Sequence, residues 1–279
     1  MPAPTLKVGS ITIVPLSDGD LSLKAADIFP AVTPTMWETV SEYLNPDGTM
    51  ALNLGSFLIH ERDSWTLVDT GYGGRPGTRG GRLLDELEKA RLRPDDVSRV
   101  IITHLHGDHI GWNTIDRDGK PEVLFKNARH IVQRRDWDHW IQPAMFPDRP
   151  LLELCAVPLK AAGVLDLVDG DQSISPGIST LLTPGHTPGH QSILVTSGNE
   201  KAIILGDVTH VPFQLSHPEW RPSFDSDPEL SARTRSEVFD RIEQQGLKVA
   251  AGHYPYPSIG GIVRVEGKRR WRPMTHPDH

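Results

Sequence analysis

The run Thr103-His104-Leu105-His106-Gly107-Asp108-His109 places four side chains able to bind a metal directly after an apolar stretch. In an extended chain His104 and His106 project to one side, and Gly107 permits a sharp turn that brings Asp108 and His109 round to a neighbouring point. Three imidazoles and a carboxylate at this spacing match metal-ligand usage, and the geometry suits two adjacent ions. Imidazole and carboxylate donors without thiolate suit zinc, with manganese, cobalt, nickel and iron also open. Two such ions acidify a shared water into a nucleophile at neutral pH, so the chemistry to expect is metal-assisted hydrolysis. Three further pieces share the form of an apolar run followed by a ligand type. They are STLLTPGHTPGH with His186 and His190, AIILGD with Asp207, and VAAGH with His253. If each run is a strand, one sheet edge can gather them all, on loops held by a rigid scaffold.

The elements that must position these residues can be read from the pattern. ITIVPL ends at the turn signal Ser17-Asp18-Gly19-Asp20, and with LNLGSFLIHE and WTLVDTG it predicts an antiparallel meander. Leu21 to Met50 lacks sustained periodicity and reads as an irregular arm with one helical turn, placed to cover a pocket or a dimer partner. Leu83, Leu84 and Leu87 give an amphipathic helix stopped by Pro94, and Val100-Ile101-Ile102 is a buried strand. Gln133 to Gly163 turns helical and aromatic, then ISTLLT, SILVTS and KAIILGD return to strands, the last two joined at Gly198-Asn199. Asp227 as cap and Pro228 at the first position open a helix through Glu243 that Gly246 closes, and LKVAAGH is a last short strand. A single domain over 1–279, built of two similar strand-and-helix halves, is the economical expectation.

Composition narrows the classes. A chain of 279 residues with 37% hydrophobic and 23% charged residues can build a proper core. Its formal charge of −7 argues against a protein that lives by neutralising phosphates, so no nucleic-acid partner is expected. The single cysteine, Cys155, reads as a small buried hydrophobe and fits a reducing compartment, so a cytoplasmic location is expected. No apolar run approaches the length of a membrane span, and the N-terminal stretch has no signal-peptide pattern. His60, His130, His139, His217, His276 and His279 stand outside any ligand pattern and are expected in packing or at the surface.

With these residues quoted, the chain resembles the metallo-β-lactamase superfamily of hydrolases, whose HxHxDH signature stands here as His104 to His109. The resemblance implies an αββα sandwich (α/β, or α+β) with two mixed sheets face to face and helices on the outer faces. It also implies one divalent metal on His104, His106 and His186, a second on Asp108, His109 and His253, and Asp207 bridging them. Asp69 in VDTG would orient ligands, and His190 would be structural. The activity implied is that of a dinuclear hydrolase with a metal-bridging hydroxide as nucleophile, opening lactones or cleaving activated aryl esters, with organophosphate triester hydrolysis as a secondary activity. An aspartate at position 207, where β-lactamases of the superfamily carry Cys or Ser, sets β-lactam cleavage aside. GDVTHV, FDSDP and the closing GHYPYPSIGGIVRVEGKRRWRP look like the branch containing methyl parathion hydrolase and aryl-lactone hydrolases, which favours a homodimer. Many acyl-homoserine lactonases carry tyrosine three residues after the bridging aspartate, where this chain has His210. Asp108 and His210 are the candidate catalytic side chains, and Phe29, Trp137, Trp140, Phe146 and Phe224 the candidate wall of a substrate pocket. The competing readings are acyl-homoserine lactonase, a phosphodiesterase or nuclease of the same superfamily, and an iron-binding redox or sensor protein.

Overall fold

Apolar residues alternate with polar ones along Ile11–Lys24 and Thr49–Glu61, and these two long strands pair antiparallel from Thr12 against His60 to Lys24 against Thr49. A computed structural model describes residues 4–75, 77 and 80–274. In it these strands belong to a seven-stranded mixed sheet, in the order Leu6–Val8, Ile11–Lys24, Thr49–Glu61, Ser64–Val68, Val97–Ile101, Arg129–Gln133, Leu165–Val168. The last four run parallel to one another. A second seven-stranded sheet runs Ser173–Ser175, Ile178–Leu182, Gln191–Ser197, Glu200–Ile204, Lys248–Ala250, Ile259–Val265, Lys268–Pro273, with one parallel pair between Glu200–Ile204 and Lys248–Ala250.

The sheets face each other across Ile13, Phe57, Ile59, Val68 and Ile101 on one side and Ile193, Val195, Ile204 and Ile259 on the other. Behind the first sheet, Leu58, Leu67 and Val100 pack on Leu83 and Leu87 of the helix Leu83–Lys89 and on Trp137 and Leu159 of later helices. Behind the second, Ile203 and Val249 pack on Val238, Phe239 and Ile242 of the helix Pro228–Gln245. That helix begins where Asp227 accepts a hydrogen bond from the Leu230 N–H at 2.9 Å, and it ends at Gly246 in the left-handed conformation. The layers are therefore α, β, β, α, the expected metallo-β-lactamase fold.

Three local expectations are corrected. Ser17-Asp18-Gly19-Asp20 is a bulge inside the strand Ile11–Lys24 rather than a turn that ends it. The bulge turns the Asp18 carboxylate inward to accept hydrogen bonds from the backbone of Tyr72, Gly73, Gly81 and Leu83 and from the Trp112 indole, all within 3.1 Å. The segment from Leu21 to Met50 is more ordered than its composition predicts. Its two ends continue the long strands, and between them lie the helices Ala25–Ile28 and Pro34–Glu38 and the 3-10 turn Ser41–Tyr43. LKVAAGH is not the last strand either, because the hairpin Ile259–Val265 and Lys268–Pro273 extends the sheet edge. Its charge-rich sequence is the mark of an edge that faces water on one side.

Candidate metal centre

All the ligand-bearing loops leave strand ends on the same edge of the sandwich. The strand Val97–Ile101 runs into Thr103, His104 and His106, and the short helix Gly107–Ile110 then carries Asp108 and His109. Glu200–Ile204 leads to Asp207, Lys248–Ala250 to His253, and Ile178–Leu182 to His186. The sheets are stitched together at this edge. Gln191 donates its backbone N–H to Thr103 O and its side-chain amide to Ile102 O, and the Gly55 N–H donates to Gly252 O at 3.1 Å. Only glycine fits at Gly55, because a Cβ there would lie 2.4 Å from the Gly252 carbonyl oxygen.

The seven side chains come together in two overlapping sets. His104 Nε2, His106 Nδ1 and His186 Nε2 form a triangle with edges of 3.0–3.1 Å. Asp108, His109 and His253 form the second set, with both imidazole Nε2 atoms 3.6 Å from Asp108 Oδ2. Asp207 lies between them, with Oδ2 3.3 Å from His186 Nε2 and 3.2 Å from His253 Nε2, and Oδ1 3.4 Å from His109 Nε2.

Outer partners fix which nitrogen of each ring faces inward. The Thr103 hydroxyl donates to Asp69 Oδ2, so its oxygen accepts from His104 Nδ1–H at 3.0 Å. His109 Nδ1–H donates to Asp69, His186 Nδ1–H to Asp225, and His253 Nδ1–H to the Asn53 carbonyl, at 2.8–2.9 Å. In its neutral form each of these four rings is thereby left with an inward Nε2 lone pair, the arrangement that metal-bound histidines require. His190 is set apart by the same logic: its Nε2 accepts the Asp207 backbone N–H at 2.8 Å and is spent in holding that residue. Asp69 adopts φ +60°, a strained conformation for aspartate, kept by its bonds to Thr103 and His109.

Whether this arrangement suits cations can be tested on its charges. Burial holds His104, His106 and His186 well below the ordinary imidazole range, so at neutral pH they face one another as uncharged rings. At His109 and His253 burial pulls the same way, but Asp207 and Asp108 outweigh it and raise them, His253 to about 9. His109 Nε2 and Asp207 Oδ1 are buried without a hydrogen-bond partner. A tetrahedral ion with bonds of ~2.0–2.1 Å spaces its ligands about 3.3 Å apart, close to the separations here. Two divalent ions therefore fit, one in each set, with Asp207 facing both.

A family model described as the metallo-beta-lactamase superfamily matches residues 56–253. The chain belongs to the metallo-beta-lactamase superfamily. Among its relatives in this superfamily, the N-acyl homoserine lactonase AttM of Rhizobium radiobacter is 31% identical over 202 residues, covering 68% of this chain and 67% of that one. An N-acyl homoserine lactonase of Bacillus thuringiensis is 24% identical over 235 residues, covering 77% and 86%. Of the solved structures, the hydrolase AbOPH of the beta lactamase superfamily has a TM-score of 0.86 at 25% identity, covering 99% and 98%. The dizinc quorum-quenching lactonase AidC has a TM-score of 0.85 at 24% identity, covering 98% of both chains, and shows the fold. Membership of the superfamily, together with the lactonase relatives, supports a metal-dependent hydrolase.

Beside these side chains lies a cavity of about 450 Å³, lined by His106, Asp108, His186, Asp207, His210 and His253, by the apolar Leu21, Leu23, Leu52, Trp140 and Phe224, and by the polar Tyr72, Arg149, Ser223, Asp225 and Ser226. Of the five aromatics expected at a pocket wall, Trp140 and Phe224 line it. Phe29, Trp137 and Phe146 do not. Phe29 is fully buried against Phe213 and Trp220, and Trp137 and Phe146 pack behind the first sheet. His210 is buried, stacked at 13° on His253 and edge-on to Phe224, with neither ring nitrogen hydrogen-bonded. Its Nε2 lies 3.2 Å from Asp207 Oδ2.

The remaining histidines pack elsewhere: His60 stacks on Trp65, His217 on Trp220, His139 meets Trp140 edge-on, and His130 is buried in its strand. His276 and His279 lie outside the described residues. Cys155 is buried as expected and receives a guanidinium N–H from Arg75.

Sequence reasoning missed several residues that position this centre. Asp136 accepts the backbone N–H of Leu105 at 3.0 Å and of Gly189 at 2.6 Å, bracing both histidine loops. Asp225 joins His186 to the buried Arg235, which also donates to the carbonyls of Val208, Pro218 and Trp220. Asp225 lies in the FDSDP stretch quoted for the branch resemblance, which was its only signal. A lone acid such as Asp136 on a helix gave none.

Proposed function

We propose that this chain is a dinuclear hydrolase that opens lactones and cleaves activated aryl esters, with phosphotriester cleavage as a secondary activity. The observation that carries the reading is the position of Asp207, within 3.4 Å of donors from both ligand sets in a cavity of mixed polar and apolar lining. His104, His106 and His186 would hold one ion, and Asp108, His109 and His253 the other, zinc being the first choice for these donors. When bound, such ions polarise a carbonyl oxygen and supply hydroxide from water at neutral pH.

The protein's own part is to bind, orient and move protons. Leu21, Leu23, Leu52 and Phe224 offer the substrate body an apolar wall and exclude water around the scissile carbonyl. His210 lines the cavity with Nε2 3.2 Å from Asp207 Oδ2 and Nδ1 without a hydrogen-bond partner, and its assigned part is to orient that carbonyl. Asp108 is the more open of the two carboxylates, its side chain 19% exposed against 4% for Asp207, and is placed to pass a proton to the departing oxygen. An aryloxide leaves with little such help, which is why aryl lactones and aryl esters head the substrate list.

A second reading, opening of N-acyl homoserine lactones, is favoured by the names of the relatives. One hydrolysis panel on zinc-reconstituted protein separates the two: dihydrocoumarin, p-nitrophenyl acetate, methyl parathion, an acyl-homoserine lactone and a β-lactam. Turnover highest on the aryl substrates supports the main reading, and highest on the homoserine lactone supports the second. Asp207→Ala is expected to bind fewer than two ions per chain and to lose more than about a hundredfold in kcat/KM. Undiminished activity in that variant would contradict the role given to Asp207.

A further inference from the structure

Arg149 stands at the cavity wall with its guanidinium 4.3 Å above the Trp140 ring. Trp140 in turn meets the His106 imidazole edge-on, with centroids 5.4 Å apart. Two ring contacts in series thus set a permanent positive charge at a fixed remove from the first ligand set. Arg129, Arg235 and Arg264 are matched to Asp166, Asp225 and Glu243, whereas Arg149, an exposed residue on the cavity rim, meets no carboxylate among the described residues. The acids that share its cavity are committed elsewhere: Asp108 and Asp207 face the histidines, and Asp225 is bonded to His186 and Arg235.

We infer that Arg149, held by Trp140, is the anion-recognising end of the cavity, and that the substrate is a lactone or aryl ester carrying a carboxylate remote from its scissile carbonyl. The inference rests on the hydrolytic reading above and narrows its substrate class. A guanidinium is always charged and presents N–H groups in a planar fork that matches a carboxylate, while stacking on an indole face limits its motion without using those donors. Leu21, Leu23, Leu52 and Phe224 line the same cavity and offer an apolar surface to the body of such a substrate. The resulting substrate has a scissile carbonyl at one end, an apolar middle and an anion at the other.

The test compares dihydrocoumarin with its 6-carboxylate in zinc-loaded wild type, Arg149→Met and Arg149→Lys. Methionine keeps apolar cover on Trp140 and lysine keeps the charge without the fork. The ratio of kcat/KM for the carboxylate to that for the parent is expected to fall about tenfold in Arg149→Met, through KM, and to be partly restored in Arg149→Lys. An unchanged ratio overturns the inference. Binding of terephthalate against 4-methylbenzoate, followed by tryptophan fluorescence in wild type and Arg149→Met, reads the same preference without turnover. If wild type hydrolyses neither lactone, the hydrolytic reading fails on its own. In that case a terephthalate preference that Arg149→Met abolishes still supports the anion site, and a preference that is absent, or that survives in Arg149→Met, overturns it.

Discussion

All but His106 among the histidines of the centre are told apart by what the far nitrogen touches. Asp69, Asp225, Thr103 and the Asn53 carbonyl accept outward protons, so four rings face inward as lone-pair donors, whereas His190 turns its acceptor nitrogen to the Asp207 backbone. At this scale Asp136 carries a prediction. Burial raises its carboxyl to about 6, so between pH 4 and pH 6 the folded chain binds a proton there that the unfolded chain releases. Its contribution to stability is therefore full below pH 4 and is lost as pH rises through 6, by about 3 kcal/mol. Asp136→Asn removes that titration and turns an amide N–H against one of the two backbone donors. Denaturant unfolding should show the stability of wild type minus that of the variant shrinking from pH 4 to pH 6.5, and a difference that grows with pH would refute the assignment. The residues the structure brings together as one ligand group were legible because each follows an apolar run. Asp136, Asn53 and the Asp225–Arg235 pair were not, because their meaning lies in contacts 10 to 200 residues away in the chain.

Among elements, the arm between the two long strands shows where pattern reading runs out. It has no helical or strand period because its apolar residues pack around a point rather than along a face. Phe29, Trp37, Tyr43 and Trp220 all meet Phe213, with centroids 5.3–5.9 Å apart. The same cluster contains Leu52 and packs on Leu21 and Leu23, which line the cavity. Phe213→Ala empties its centre and is expected to cost about 3–5 kcal/mol of stability, together with a raised KM for apolar substrates at unchanged metal content. Thermal unfolding, kinetics and elemental analysis check the three parts, and an unaltered KM would mean that the arm does not shape the cavity. The bulge at Asp18 is a similar case. Ser-Asp-Gly-Asp reads as a turn by composition, and the strand continues because the carboxylate finds five donors from beyond residue 71.

Across the whole molecule, two sheets with separate outer layers meet at an edge crowded with imidazoles and carboxylates. Ions that bind only this assembled edge stabilise the fold by mass action, by about 2.7 kcal/mol each at a hundredfold excess over Kd. Removing them by chelation should lower Tm by several degrees, and zinc should restore it. The comparison is made by scanning calorimetry on dialysed protein, and an equal Tm for ion-free and zinc-loaded samples would contradict a centre shared between the two sheets. The two halves should then also loosen from each other, since Asn53 and Gly55 of one sheet bond to Gly252 and His253 of the other within this edge.

The ligand types, their order and the strand-then-loop form that carries them were determined by the sequence alone, because apolar periodicity and donor chemistry are local properties. The sandwich followed from the resemblance those motifs carry. Which aromatic side chains reach the cavity, which acid braces the ligand loops and which arginine stands at the cavity wall were decided only by the tertiary structure. A tryptophan at position 137 and one at position 140 differ by a turn of helix, yet one packs behind a sheet and the other faces the cavity beneath Arg149. That outcome depends on how the helix is rolled against its sheet, which no stretch of sequence specifies in isolation.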